Sequence, residues 1–168
     1  MEEEIMKLHS GHMEIAVVNL LNYRQYTIIP NVSYGWNLRH EADLLAVTKD
    51  NFVTEIEIKI SVSDLKADFK KVHNHRSNRI HRLVYAVPDF MLKQTMELVP
   101  KQHGIIAVKW VVFNDSVGRY VAEWVRRVTK NGNPAITEKN LNDLLRLGAM
   151  RIWSLKQHNY GKQLKLIK

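Results

Sequence analysis

In residues 53–60, side chains of two different kinds alternate along the chain. One set of positions holds the uncharged residues Thr54, Ile56 and Ile58. The other set is mostly charged and consists of Val53, Glu55, Glu57 and Lys59. A period of two residues is the pattern of a β-strand and does not fit a helix. The segment therefore predicts a strand with one apolar face and one polar face.

A second β-like stretch, residues 42–48, precedes this strand and is separated from it by the turn residues Lys49, Asp50 and Asn51. Two such stretches around a short polar turn predict a β-hairpin. Asp43 and Glu57 are equally distant from Asp50, so the hairpin places them opposite each other on one face. Opposed residues have Cβ atoms about 4.5–5.5 Å apart, from where two carboxylates can hold one divalent ion. Two facing carboxylates repel unless a cation or a shared proton joins them, so the pair predicts a metal site.

The remaining segments predict an α/β fold with helices on both sides of one mixed sheet. We expect a helix within residues 2–22 and a strand near residues 26–29. A capping pattern at residues 61–64 predicts a helix directly after the alternating strand. Buried strands follow at 82–87 and 104–108, with a short helix between them, and a late hairpin is expected from 111–113 and 120–128. Thr137 is expected to cap a last helix, and the tail from Gln157 shows no clear period.

Composition narrows the choice of partner. Lysine and arginine exceed aspartate and glutamate by 25 to 17, which gives a formal charge of +8. Such a balance favours a polyanion, with nucleic acid the leading candidate. With no cysteine, any metal must use oxygen or histidine ligands, which favours hard divalent cations. No long apolar run and no secretory signal pattern is present, so we expect an intracellular, cytoplasmic protein without membrane contact and with a single domain over residues 1–168.

Asp43 is followed fourteen positions later by Glu57, Ile58 and Lys59. This spacing resembles the acidic residue plus (D/E)XK signature of the PD-(D/E)XK nuclease superfamily. Three further segments resemble its small MmcB-like branch, which is associated with DNA repair: EIKISVSDLKADFK at 57–70, RLVYAVP at 82–88, and residues 100–106. Ala42 stands where the superfamily name has proline, and Ile60 follows the lysine where a small polar residue is expected.

The resemblance implies a restriction-endonuclease-like core, a mixed central β-sheet flanked by helices. It implies that Asp43, Glu57 and the Ile58 carbonyl bind Mg²⁺ or Mn²⁺, and that Lys59 positions or helps deprotonate the attacking water. Glu14 is our candidate for the first-helix carboxylate found in many such nucleases. A carboxylate early in a helix is also favourable through the macrodipole alone, so a purely structural role is the alternative. Glu41 and Glu55 are expected to be solvated, or to contact the metal ligands without binding the metal themselves.

Four cationic residues beyond the alternating strand are expected to contact DNA phosphates: Lys66, Lys70, Arg76 and Arg79. The alternative is a solvated helix end and loop.

The sequence as a whole predicts a metal-dependent deoxyribonuclease. RNA as substrate and a homodimer are left open. The first rival is a catalytically silent DNA-binding module with the same fold. The second is a phosphoryl hydrolase acting on nucleotides, against which stands the absence of a Gly-rich phosphate loop.

Overall fold

The computed structural model describes residues 8–33, 36–70, 77–114 and 117–161. Its strands are β1 (Thr27–Val32), β2 (Ala42–Val47), β3 (Val53–Ile58), β4 (Arg82–Pro88), β5 (Gly104–Asn114) and β6 (Val117–Arg126). Its helices are α1 (Ser10–Leu20), α2 (Val62–Asp68), α3 (Leu92–Leu98) and α4 (Glu138–Gly161), with a 3-10 helix at Asp89–Met91.

The six strands form one sheet in the order β1-β2-β3-β4-β5-β6. The pairs β3–β4 and β4–β5 are parallel, and the other three neighbouring pairs are antiparallel. Parallel neighbours need a crossover, which α2 supplies between β3 and β4 and α3 between β4 and β5. The fold is therefore α/β with a mixed sheet flanked by helices, consistent with the restriction-endonuclease-like core expected from the sequence.

Hydrophobic cores cover both faces of the sheet. Helix α1 buries Met13, Ala16 and Val17 against one face, to which β3 contributes Ile56 and Ile58. The opposite face carries the alternate positions of β3 and β4, packed under α2 and the chain around the 3-10 helix. Glu55 and Glu57 lie on this second face, so two acidic side chains face a covered side of the sheet.

The predicted β2–β3 hairpin is confirmed. Leu44 pairs with Ile56 and Leu45 with Glu55, and the same register extended by one residue beyond Leu44 sets Asp43 opposite Glu57. Asn51 takes the left-handed conformation in the turn, with φ of 59°, which asparagine tolerates better than most residues.

Two expectations about the second half of the chain were incomplete. The stretches at 104–108 and 111–113 form one continuous strand, β5, whose outer half extends beyond β4 and pairs with β6 alone. Helix α4 continues past Gln157 to Gly161, through a segment in which no residue is buried. None of the described helices has the length and apolar composition needed to cross a bilayer.

Candidate active site

Three elements bring acidic residues together on the covered face of the sheet. Asp43 lies at the start of β2, Glu57 lies near the end of β3, and Asp68 is the last residue of α2. The Asp43 carboxylate accepts a hydrogen bond of 2.7 Å from the backbone N–H of Ile58. This contact fixes Asp43 beside the end of β3, where Glu57 and Lys59 project. The structure thus brings together the three residues that the sequence singled out, Asp43, Glu57 and Lys59.

Lys59 is the centre of a buried ionic chain. Its Nζ lies 2.6 Å from Glu57 Oε2 and 3.3 Å from Asp68 Oδ1. Asp68 also accepts a hydrogen bond of 3.1 Å from the hydroxyl of Tyr85 on β4. Lys59 is only 4% exposed and Glu57 only 2% exposed. A buried ammonium needs such partners, because an isolated charge in the interior is very costly.

The pKa values follow from burial and from the neighbouring charges. Burial raises the pKa of Glu57 to about 7, with the charges of Asp43 and Glu55 adding to the increase and Lys59 opposing it. Burial alone would lower the pKa of Lys59, but Glu57, Asp68 and Asp43 outweigh it and raise that pKa above its usual range. Burial and the Asp68 charge likewise raise the pKa of Tyr85. Lys59 and Tyr85 are therefore both protonated at neutral pH and act as hydrogen-bond donors.

A histidine joins the acidic group from the segment before β2. His40 Nε2 lies 2.5 Å from Glu55 Oε1, and Glu55 is completely buried. Ligand atoms of His40, Glu55 and Glu57 all lie within 4.8 Å of one another. Of the two roles expected for Glu55, solvation is excluded because the second face of β3 is covered, and support of the ligands remains. Glu41 is exposed, as expected, and contacts Arg151 of α4.

Glu14 reaches this region from α1, on the other face of the sheet. Burial raises its pKa, and the charge of Asp43 raises it further. The two carboxylates are thus near enough to repel each other. Glu14 is half-buried, so its placement fits a group beside the site.

The basic residues expected to contact DNA take different positions. Lys66 and Lys70 are exposed on and just after α2. The guanidinium of Arg79 donates a 3.1 Å hydrogen bond to the Trp36 carbonyl and lies 5.3 Å from the centre of the Trp36 ring. Arg79 therefore has a packing role in addition to any contact with DNA. Arg76 lies outside the described residues.

Sequence reasoning did not single out His40, Asp68 or Tyr85 as site residues. Asp68 ends a helix and Tyr85 lies in an apolar strand, and no periodic pattern links either residue to Lys59. The one available signal was proximity in the chain for His40, which precedes Asp43 by three positions.

The site combines more negative than positive groups. Among the described residues, it brings together four carboxyl groups, on Asp43, Glu55, Glu57 and Asp68, and one ammonium, on Lys59. Carboxylate oxygens suit Mg²⁺ or Mn²⁺, and the ligand atoms of His40, Glu55 and Glu57 lie close enough together to hold one divalent cation. This cluster shares Glu57 with the ligands that the resemblance implied, and it contains His40 and Glu55 in place of Asp43 and the Ile58 carbonyl.

Comparisons with known proteins agree with this fold. A family model described as DNA repair protein MmcB-like matches residues 7–159. The chain is also similar to a solved structure, the SPO1766 protein of unknown function from Silicibacter pomeroyi. The TM-score is 0.63 at 18% identity, over 94% of this chain and 96% of that one. At this identity the likeness concerns the fold alone. No curated protein matches the chain.

Proposed function

Because the chain belongs to the MmcB-like family of DNA repair proteins, with residues 7–159 matched, we propose that it is a divalent-metal-dependent deoxyribonuclease of the PD-(D/E)XK type. The observation that carries this proposal is the buried concentration of carboxylates in a protein whose overall charge is +8. A basic surface attracts a polyanion, while an acidic cluster holds a cation where the scissile phosphate arrives.

Asp43, Glu57 and the Ile58 carbonyl would hold Mg²⁺ or Mn²⁺, with His40 and Glu55 next to Glu57. When bound, the cation supplies a Lewis acid that stabilises negative charge developing on the phosphoryl group. The Asp43 carboxylate is oriented by the Ile58 N–H, so its direction is set before any ion binds. This orientation supports a role as ligand, because a fixed ligand loses little conformational entropy on binding.

Lys59 contributes a hydrogen-bond donor. Its ammonium is buried between Glu57 and Asp68, and the raised pKa keeps it protonated. A protonated amine cannot accept a proton from water. We therefore propose that Lys59 positions the attacking water or a phosphate oxygen; to help deprotonate that water, its pKa would have to be lowered by a cation bound at Asp43 and Glu57. Asp68 and Tyr85 act through Lys59 and are positioning residues.

The test is cleavage of plasmid, single-stranded and branched DNA by the purified protein, with and without Mn²⁺ or Mg²⁺. Asp43→Asn, Glu57→Gln and Lys59→Ala are each expected to abolish metal-dependent cleavage while DNA binding and the circular dichroism spectrum persist. Glu123→Gln is the matched control, because Glu123 forms an exposed pair with Lys109 on the β5–β6 hairpin. Full cleavage by any of the three folded variants removes that residue from the site.

The alternative is a DNA-binding module with the same fold and no activity. In that case the parent protein binds DNA in every metal condition and cleaves none of the three substrates. The same assay therefore separates the two functions.

A further inference from the structure

A second site lies at the other end of the sheet, where β4 and β5 begin and β6 ends. A cavity of about 850 Å³ opens there. Four cationic side chains line it: Arg82, Lys101, Arg127 and Lys130. Among the described residues that line the cavity, none is acidic. Such a lining favours a bound anion.

The cationic residues are not neutralised by nearby carboxylates. Within the part of the chain that the structure describes, no salt bridge involves any of the four. Two of them instead contact aromatic rings. Lys130 Nζ lies 3.4 Å from the centre of the Phe52 ring, and the Arg127 guanidinium lies 5.1 Å from that of Trp124. A contact with a ring face leaves a lysine or arginine with further N–H groups that can donate to a ligand.

The cavity wall is fixed by hydrogen bonds that need no ligand. His81 Nδ1 accepts from the Val53 N–H at 2.9 Å, so Nε2 carries the ring proton and donates to the Pro134 carbonyl at 2.8 Å. Asn131 and Asn133 both donate side-chain hydrogen bonds to the Ile80 carbonyl. These contacts hold residues 131–134 against the start of β4. A wall built in this way favours binding, because little has to be ordered when the ligand arrives.

A smaller cavity of about 370 Å³ adjoins the first and shares Arg82, Arg127 and Val128 with it. Its wall includes the rings of Tyr26 and Trp124. The two cavities thus combine an anion-binding lining with an aromatic one. Phosphate oxygens suit the arginines and lysines, and the face of a nucleobase suits the aromatic rings.

We propose that the paired cavities bind one nucleotide unit, with its phosphate between Arg82, Arg127 and Lys130 and its base toward Tyr26 and Trp124. The site is separate from the carboxylate cluster. Arg82 pairs with Thr54, three positions before Glu57, which corresponds to about 10 Å along the strand. The nucleotide comes either from a free mononucleotide or from a nucleic-acid strand, because both offer the same phosphate and base. The proposal does not depend on nuclease activity.

The experiment titrates the full-length protein in EDTA-containing buffer and measures affinity by calorimetry. The probes are inorganic phosphate, adenosine, adenosine 5′-monophosphate, and a short single-stranded oligonucleotide. The double variant Arg127→Gln/Lys130→Gln is expected to lose about tenfold or more in affinity for the phosphorylated probes, as expected for lost charged hydrogen bonds. Both side chains are exposed, so the fold should persist. The matched control is Arg146→Gln/Lys156→Gln, which removes the same charge from exposed positions on α4.

A second variant tests the aromatic part. Tyr26→Leu should weaken binding of adenosine 5′-monophosphate and leave that of inorganic phosphate unchanged. Binding of the mononucleotide identifies a nucleotide site, and binding of the oligonucleotide alone identifies a strand site. Three results would each overturn the proposal: no binding of the mononucleotide or of the oligonucleotide by the parent, equal binding of them by the Arg127/Lys130 variant, or binding of the mononucleotide that is measurable but no tighter than that of inorganic phosphate.

Discussion

Asp43 is close to three other ionisable groups of the site. Its charge raises the pKa values of Glu14, Glu57 and Lys59. For the two carboxyl groups this increase means repulsion, and for the lysine it means attraction. The Lys59 ammonium, however, makes its close contacts with Glu57 and Asp68. Neutralising Asp43 in the metal-free protein therefore removes its repulsion with Glu14 and Glu57 together with its attraction to Lys59.

Asp43→Asn is expected to leave the thermal stability of the metal-free protein unchanged or to raise it. The amide oxygen can still accept the hydrogen bond from Ile58, and the repulsion with Glu14 and Glu57 is removed. Mg²⁺ or Mn²⁺ should then raise the melting temperature of the parent and not that of the variant, because only the intact site binds the ion in the native state. Melting curves in EDTA and in metal check both points. A variant that melts far below the parent in EDTA, with equal metal-induced shifts in both proteins, would contradict the active-site assignment.

Glu57 gives a pH-dependent prediction for the metal-free protein. Its pKa rises from an ordinary 4.5 to about 7 on folding, so the folded state holds the proton more tightly than the unfolded state. The resulting stabilisation is complete below pH 4.5 and is lost as the pH rises to about 7, by about 3 kcal/mol for a shift of this size. Urea denaturation between pH 5 and 8 should show this loss in the parent and a flatter profile in Glu57→Gln. Glu123→Gln, at an exposed position, should show the same dependence of unfolding free energy on pH as the parent. If all three proteins show the same dependence, Glu57 does not have the raised pKa.

The site residues that could be predicted from the sequence are those placed by the alternation of side chains along a strand or by the symmetry of a hairpin. Alternation places Glu57 and Lys59 on one face, and hairpin symmetry adds Asp43 from fourteen residues away. Asp68 and His40 join the cluster only through tertiary packing: the path of α2 back across the sheet, and that of the chain before β2. Neither the two-residue period of a strand nor the 3.6-residue period of a helix indicates such contacts in the sequence.

Among the secondary-structure elements, helix α2 is the one that leads from the end of β3 to the site residue Asp68. It begins directly after β3, with the Ser61 hydroxyl accepting a 3.1 Å hydrogen bond from the Asp64 N–H, and it ends at Asp68 beside Lys59. With seven residues the helix is too short to be stable alone, so its cap and the buried Leu65 hold it in place.

Ser61→Ala should therefore lower the free energy of unfolding by about 1 kcal/mol, the usual cost of removing an N-cap side chain. Urea denaturation measures the change. Ser154→Ala is the control, since its hydroxyl donates to a carbonyl in the middle of α4 and caps no helix end. Equal changes in the two variants would mean that the Ser61 cap contributes nothing specific.

The elements themselves were largely predictable, because turn and cap residues mark their ends. The β2–β3 hairpin and the start of α2 follow from residues within a few positions of each boundary. The continuity of β5 does not, since its outer half is exposed and depends on pairing with β6 from further along the chain. The end of α4 was also not predictable, because a helical segment without a buried face has no periodic pattern of apolar residues.

Across the whole molecule, charge is segregated. The chain carries +8, yet four carboxylates are gathered under α2 and against β3. The attraction of DNA that the proposed function requires would therefore come from cations elsewhere on the surface, and it would weaken with salt.

Lys66 and Lys70 are exposed beside the site and are expected to contact phosphates. Each phosphate contact releases counterions, so each one lost should reduce the slope of log affinity against log salt by about 0.9 on duplex DNA. Lys66→Ala/Lys70→Ala should thus lower the slope by about twice that amount, and adding Arg76→Ala and Arg79→Ala should lower it further. Arg79→Ala alone should also lower stability, because it removes the contacts with Trp36. Arg146→Ala/Lys156→Ala on α4 controls for net charge and should change the slope less. If the slope of the four-residue variant equals that of the parent, these cations do not contact DNA phosphates, and the binding surface lies elsewhere on the protein.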